Sequence, residues 1–112
     1  MFKLFSRNVK ENIDVEKFDS LRTEGYKIID VRTPEEYNEA RIENSILIDF
    51  YESDFYSEID KLDKSEKYIV YCRSGRRSLT AVKYMNSIGI ENAFNLEGGI
   101  IDWKSKGKPV VK

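Results

Sequence analysis

The sequence predicts an α/β fold in which a mainly parallel β-sheet is covered by helices on both faces. Short β-prone apolar segments alternate along the chain with segments whose apolar residues recur at helical spacing. The run 68–71 is apolar without alternation, which is typical of a strand buried on both faces. A capping box with proline at the first helical position, at residues 33–36, starts a helix directly after another such strand.

The first half of the chain alternates strand and helix twice. Three strands are predicted there, at residues 9–13, 26–31 and 45–48. Asp14 is placed to cap a helix that buries Val15, Phe18 and Leu21 and ends at Gly25. The helix that begins at the capping box should run to about Ala40, with residues 41–44 as the turn into the third strand.

The second half repeats the pattern. A helix is predicted over residues 54–62, the buried strand over 68–71, and a further helix is indicated by apolar residues that recur from Leu79 to Ile88. Gly89 ends that helix, and residues 93–96 form the last predicted strand. A short helix then runs through Trp103, and we expect the tail at residues 110–111 to pack on the sheet.

Size and charge restrict the kind of protein. A chain of 112 residues, 40% hydrophobic and 35% charged, suits one compact domain over residues 1–112, with residues 1–8 as a flexible N-terminal arm. The 19 basic and 20 acidic residues nearly cancel, so we expect neither a nucleic-acid nor a membrane-surface partner. No apolar run reaches signal-peptide or membrane-spanning length, which favours a cytoplasmic location.

The chain has a single cysteine, Cys72, and no histidine. An internal disulfide, a cysteine–histidine catalytic pair and a histidine-based metal site are therefore excluded. We expect no metal or other cofactor.

Cys72 lies where the buried strand ends and a helix is about to begin. No acidic residue occurs from Cys72 to Ile90, and three arginines follow the cysteine at once, at positions 73, 76 and 77. The N–H groups at a helix start lack intrahelical partners, and the helix dipole adds to their attraction for an anion. A thiolate at the centre of this turn would be stabilised, so Cys72 is predicted to be a nucleophile that accepts an anionic substrate.

The other loop residues have open alternatives. Gly75 is expected to adopt a backbone conformation that lets the amides converge, although an ordinary turn glycine is equally compatible. Ser74 and Ser78 could donate hydrogen bonds to the sulfur, and Ser78 could equally cap the following helix. The three arginines either bind the anionic substrate or pair with acids such as Asp30, Glu36 or Glu97, and we expect at least one of them to be structural.

Four segments make the chain resemble the rhodanese-like domain family over nearly its whole length. They are Asp30-Val31-Arg32 with residues 34–37, the turn 41–45, the loop 72–78, and residues 96–100 with Trp103 and Pro109. The resemblance implies a three-layer fold with a mainly parallel sheet of five strands. It also implies transfer of sulfane sulfur from thiosulfate or a persulfide, through a cysteine persulfide, to a thiol or cyanide acceptor, which a partner protein could carry.

By this resemblance, Cys72 is the persulfide-forming nucleophile, and Arg73, Ser74, Gly75, Arg76, Arg77 and Ser78 form the amide cradle. Asp30, Arg32 and Glu36 resemble a supporting ion-pair network near the loop, with helix capping as the alternative role. The chain departs from the family in the turn, where it has Ala40-Arg41-Ile42 and Asn44 in place of glycine-histidine-isoleucine and a second glycine.

Two other functions remain open. Related dual-specificity and cell-cycle phosphatases use a similar loop with one more residue between cysteine and arginine than the four that separate Cys72 from Arg77. The shorter loop favours a sulfur atom over a phosphate, which makes a phosphatase or arsenate reductase the less favoured alternative. Rhodanese-like domains also serve as sulfur carriers or regulatory binding modules, but those that have lost catalysis usually lack the cysteine.

Overall fold

The computed structural model describes residues 9–112, so the N-terminal arm expected at residues 1–8 lies outside the described part. Five strands and five helices alternate along it. The strands are β1 (Asn12–Ile13), β2 (Lys27–Asp30), β3 (Ser45–Leu47), β4 (Tyr68–Tyr71) and β5 (Ala93–Leu96). The helices are α1 (Val15–Thr23), α2 (Pro34–Glu39), α3 (Phe55–Asp60), α4 (Arg76–Ser87) and α5 (Gly99–Ser105).

The five strands form one parallel sheet in the order β1-β5-β4-β2-β3. The predicted α/β class with a parallel sheet is confirmed. Every residue of β4 is buried, as its continuous apolar sequence predicts, and the strand is paired on both sides. The loop that follows β4 therefore emerges near the middle of the sheet.

Helices cover both faces of the sheet, and each face has its own core. Val70 and Cys72 point to the face covered by α3 and α4, together with Ile59, Val82 and Met85. The alternate residues of β4 face the other core, which α1 and α5 cover. Its members on β4 and the two helices are Ile69, Tyr71, Val15, Phe18, Leu21, Ile100 and Trp103. Successive β4 side chains thus separate the two layers, and Cys72 belongs to the α4 side.

Several local predictions are confirmed. Asp14 accepts a hydrogen bond from Lys17 N and caps α1 (2.9 Å). Thr33 and Glu36 form the capping box that begins α2. The backbone of Asn44, at one of the departures from the family pattern, was not predicted: it has a left-handed φ of 68°, which asparagine tolerates better than most residues.

Other local predictions were wrong in detail. The first strand is only Asn12–Ile13, because Asn12 N donates to Val9 O (3.1 Å) and closes a turn over residues that were predicted to be extended. Helix α4 begins at Arg76, so the last residues of the predicted cysteine loop are its first turn. The tail packs as predicted, since Val110 contacts the core on the α1 and α5 face of the sheet, while Val111 makes an antiparallel bridge to Arg41. None of the helices in residues 9–112 has the length and apolar composition of a membrane-spanning segment.

Candidate active site

Cys72 follows β4 directly, at the carboxyl edge of the sheet. The next helix, α4, packs on one face of the sheet, whereas the helix that follows the neighbouring strand β5 packs on the other face. In parallel sheets, ligands bind at this edge, beyond the carboxyl ends of the strands.

The Cys72 sulfur is surrounded by hydrogen-bond donors from its own loop. Gly75 N lies 3.1 Å from Sγ, Ser78 Oγ lies 3.2 Å from it, and Ser78 N lies 3.5 Å from it. The residue is only 1% exposed. Ser78 therefore donates to the sulfur from within the first turn of α4, and the alternative in which it caps this helix is wrong because Gly75 holds the capping position.

Opposing influences act on the pKa of the Cys72 thiol. Burial raises it, while hydrogen bonds from the Ser78 side chain and from the backbone N–H groups of Ser78, Gly75 and Ser74 lower it. The hydrogen bonds prevail, so the pKa lies below that of an ordinary cysteine. A thiol that is both buried and acidified in this way is a candidate nucleophile.

The loop shape depends on close approaches that only glycine allows. Gly75 has a φ of 98°, and a Cβ built on it would lie 2.0 Å from the carbonyl oxygen of Glu97. Gly99 has a φ of 64°, and a Cβ there would lie 2.1 Å from the carbonyl oxygen of Arg73. The segment after β5 is thus pressed against the cysteine loop.

The first turn of α5 also supports the loop by hydrogen bonds. Ile100 N donates to Cys72 O (2.9 Å), and Ile101 N donates to Arg73 O (3.2 Å). Gly99 and these two residues were not among the predicted site residues. The tandem glycines at 98–99, ahead of a short helix, are the sequence signal that could have identified them.

The start of α4 has backbone donors that remain available to a ligand. The N–H groups of Arg76 and Arg77 occupy the first turn of α4, where a helix provides no acceptor, and neither has a hydrogen-bond partner within residues 9–112. Both lie beside the Ser78 N–H that contacts the sulfur. They would suit an anionic group bound at or next to Sγ.

The three loop arginines have different roles. Arg77 forms a two-point ion pair with Glu36, at 3.0 and 3.1 Å, and its guanidinium carbon lies 5.5 Å from the ring centre of Tyr51. The Arg77 pair and the Thr33 cap outweigh burial and together bring the pKa of Glu36 down to about 2. The Arg77 guanidinium is therefore occupied by Glu36, one of the acids considered as its partner.

The side chains of Arg73 and Arg76 are not held by an acidic partner among the described residues. Within the described chain neither forms an ion pair, and Arg73 is exposed at the rim of the site. Arg73 borders an open depression of about 380 Å³, with Ile101 and Lys104 on its α5 side. Ser74 is also exposed and contributes its backbone N–H to the loop. Glu36 and Glu39 also line this depression, so its charge is mixed, whereas the exposed charged side chains of the cysteine loop itself, Arg73 and Arg76, are cationic.

The predicted network of Asp30, Arg32 and Glu36 is divided into two separate ion pairs. Asp30 and Arg32 are buried and bound to each other (Nη2 to Oδ2, 2.6 Å), and Arg32 also donates to Ala40 O (2.7 Å). This pair ties the end of β2 to the end of α2. Of the three residues, Glu36 is the one with a hydrogen bond to the cysteine loop within residues 9–112.

The pH dependence of the thiolate should identify what lowers its pKa. Ser78→Ala removes the hydroxyl donor and is expected to raise the Cys72 pKa by about one unit, because a hydrogen bond to a charged group contributes roughly 1.5–3 kcal/mol. The pKa is measured from the ultraviolet absorbance of the thiolate as a function of pH, with Cys72→Ser as the blank.

The matched control is Ser74→Ala, which removes an exposed hydroxyl and keeps the N–H near the sulfur.

Arg73→Ala is expected to shift the pKa only slightly, because an exposed guanidinium is screened by water and salt. A shift of a unit or more in Arg73→Ala would assign the effect to the side-chain charge instead of the backbone.

Comparison with known proteins places the chain in a family. Residues 14–106 match the model of the rhodanese-like domain. The putative sulfurtransferase YtwF of Bacillus subtilis is 37% identical over 82 residues, which cover 73% of this chain and 77% of that protein. A sulfurtransferase of Allochromatium vinosum is 33% identical over 89 residues, or 80% of this chain and 81% of the relative.

A solved structure of a rhodanese-related protein is also similar to this chain. The crystal structure of a rhodanese-related protein from Thermoplasma volcanium has a TM-score of 0.81 and 34% identity, and the match covers 90% of this chain and 97% of that one. Fold, family model and sequence relatives coincide over most of the chain. The chain belongs to the rhodanese-like domain family.

Proposed function

We propose that this protein is a sulfurtransferase in which Cys72 takes sulfane sulfur from thiosulfate or a persulfide and passes it to a thiol or to cyanide. The acceptor is a small molecule or a thiol of a partner protein. The observation that carries the proposal is the lone thiol held by loop and serine donors at a helix start, with a lowered pKa. The sulfurtransferase relative in Allochromatium vinosum supports it.

The first half-reaction needs a thiolate and a site for a dianion. The Cys72 thiolate attacks the outer sulfur of thiosulfate, the sulfur–sulfur bond of the donor breaks, and sulfite leaves with the electron pair. The product is a cysteine persulfide anion. The free N–H groups of Arg76 and Arg77 would hold the charge, and the side chains of Arg73 and Arg76 would attract the donor.

The second half-reaction returns the enzyme to its starting state. A nucleophile such as cyanide attacks the outer sulfur of the persulfide, and the Cys72 thiolate leaves. No proton has to be removed from Cys72 during the cycle when the resting group is already ionised. A histidine base is therefore unnecessary, in agreement with a chain that contains none.

Arg77 supports sulfur transfer over phosphate hydrolysis. Its guanidinium is committed to Glu36 by two hydrogen bonds, and only four residues separate it from Cys72. An anion with three oxygens to bind would have to compete with Glu36 for this side chain.

Persulfide formation provides the direct test. After incubation with thiosulfate and no acceptor, intact-mass spectrometry should show the gain of one sulfur atom on Cys72, because no second cysteine is present to resolve the persulfide. Addition of cyanide should remove this mass and release thiocyanate. A protein that gains no sulfur from thiosulfate or from a small-molecule persulfide would be a binding module and not an enzyme.

A further inference from the structure

Strand β5 carries a buried polar side chain, Asn95, which is 1% exposed. Its register with Val70 directs it to the face of the sheet that α4 covers. Asn95 Nδ2 donates to two oxygens, the carbonyl of Gly75 (3.1 Å) and Asn12 Oδ1 (2.8 Å). The side chain thus connects the cysteine loop to the β1–β5 edge of the sheet.

The other polar atom of the Asn95 side chain is not satisfied. Asn95 Oδ1 is buried and has no hydrogen-bond partner within the described residues. An unpaired buried polar atom is destabilising, and an apolar side chain of similar shape would avoid it. Rotating the amide does not help, since Oδ1 would then face the carbonyl oxygen of Gly75 and Asn12 Oδ1. Fold stability alone therefore does not explain an asparagine at this position.

The Gly75 contact affects a peptide group that belongs to the site. The peptide between Gly75 and Arg76 is planar and trans, so its C=O and N–H point in opposite directions. With the C=O directed at β5, the Arg76 N–H points away from β5, and this N–H is one of the donors at the start of α4 that have no partner within the described residues. The same carbonyl also accepts the first helical hydrogen bond of α4, from Leu79 N (3.2 Å), so Asn95 and the helix hold this peptide together.

We propose that Asn95 is a positioning residue, which fixes the Gly75–Arg76 peptide so that the Arg76 N–H is presented to the anion at Cys72. The activity part of this inference rests on the proposed sulfur transfer, whereas its geometric part does not. Asn95 acts through the loop backbone and does not contact the sulfur. Its function is to keep a donor oriented before the substrate arrives.

The substitution Asn95→Leu separates this role from folding. Gly75 O keeps its bond from Leu79 N (3.2 Å), and half-buried Asn12 is able to turn to water. No buried group loses its last partner, and the unpaired Oδ1 disappears. We therefore expect an unfolding temperature equal to or above that of the wild type, with kcat/KM for thiosulfate lower by roughly ten-fold or more. The pH midpoint of thiolate formation should rise as the loop loosens.

The controls make the outcome decisive. Asn12→Ala removes the other acceptor of Asn95 and keeps the bond to Gly75, so its kcat/KM and thiolate midpoint should stay at the wild-type values. Asn95→Ala provides a smaller apolar variant. Unchanged kcat/KM and an unchanged thiolate midpoint in a folded Asn95→Leu protein would overturn the proposal. It would also be wrong if both Asn95 variants failed to fold, because the residue would then be structural.

The thiolate measurement also distinguishes the two proposals. It needs no substrate and remains valid if the wild type transfers no sulfur. An inactive wild type whose thiolate midpoint still rises in Asn95→Leu would refute sulfur transfer and support the positioning role. An active wild type whose activity is unchanged in Asn95→Leu would support sulfur transfer and refute the positioning role of Asn95.

Discussion

Cys72→Ser is expected to lower thiosulfate-dependent thiocyanate formation by about three orders of magnitude or more, because a hydroxyl at this position ionises far too weakly to attack sulfur. Cys72 is the only thiol of the chain, so no other residue is able to carry the persulfide. The assay combines thiosulfate and cyanide with equal concentrations of the two proteins. Intact mass after thiosulfate treatment should show added sulfur in the wild type and none in Cys72→Ser.

The serine variant should remain folded, which makes the comparison clean. A serine oxygen is able to accept the hydrogen bonds that Gly75 and Ser78 donate to the sulfur, so the loop keeps its partners. Circular dichroism and the thermal midpoint would verify this. Equal thiocyanate production by both folded proteins would mean that Cys72 is not the sulfur carrier.

Features set by neighbouring residues in the chain could be predicted from the sequence. The capping box at Thr33 and Glu36 and the buried strand Tyr68–Tyr71 each depend on a few consecutive side chains, and both occur as predicted. The strand order could not be predicted in the same way. It places β5 between β1 and β4, and this pairing depends on contacts between segments far apart in the chain.

The same distinction applies to the candidate site. The loop from Cys72 to Ser78 is a continuous segment, so its donors could be predicted together from one stretch of sequence. The groups that hold the loop come from elsewhere. Asn95 is 20 positions from Gly75, and Glu36 is 41 positions from Arg77. Of these two, Glu36 was predicted as a supporting residue through the family resemblance, and Asn95 was not.

The loop geometry also explains why positive charge and thiol acidity are separable. The interactions that lower the Cys72 pKa include three backbone N–H groups and one hydroxyl, all within the loop. Arg77 is bonded to Glu36, and its charge also interacts with that of Cys72, whereas Arg73 is exposed at the surface. We infer that the backbone and Ser78 stabilise the thiolate, and that exposed arginine charge mainly increases capture of the anionic donor. Arg73→Ala should therefore raise KM for thiosulfate more than it changes the thiolate pKa.

Gly75→Ala is expected to disrupt both folding and activity, because the position combines an unfavourable φ with a close approach of the Glu97 backbone. Its φ of 98° is unfavourable for any residue with a side chain, at roughly 1–2 kcal/mol. The new Cβ would also lie 2.0 Å from Glu97 O and 2.8 Å from Glu97 C, which are backbone atoms with little freedom to move. Relieving this contact should cost about 1–3 kcal/mol more and displace the Gly75 N–H from the Cys72 sulfur.

Gly25→Ala is the matched control for this prediction. Gly25 has nearly the same φ, 97°, and a Cβ added there would meet nothing within 4 Å, so the variant has the backbone strain without the collision. Chemical denaturation should therefore show a loss of unfolding free energy of roughly 1–2 kcal/mol in Gly25→Ala and clearly more in Gly75→Ala. Sulfur transfer should be unchanged in Gly25→Ala and should fall by about a hundred-fold in Gly75→Ala. Equal losses of stability in the two variants, with activity retained in both, would show that the approach of Glu97 to Gly75 does not hold the loop in its active shape.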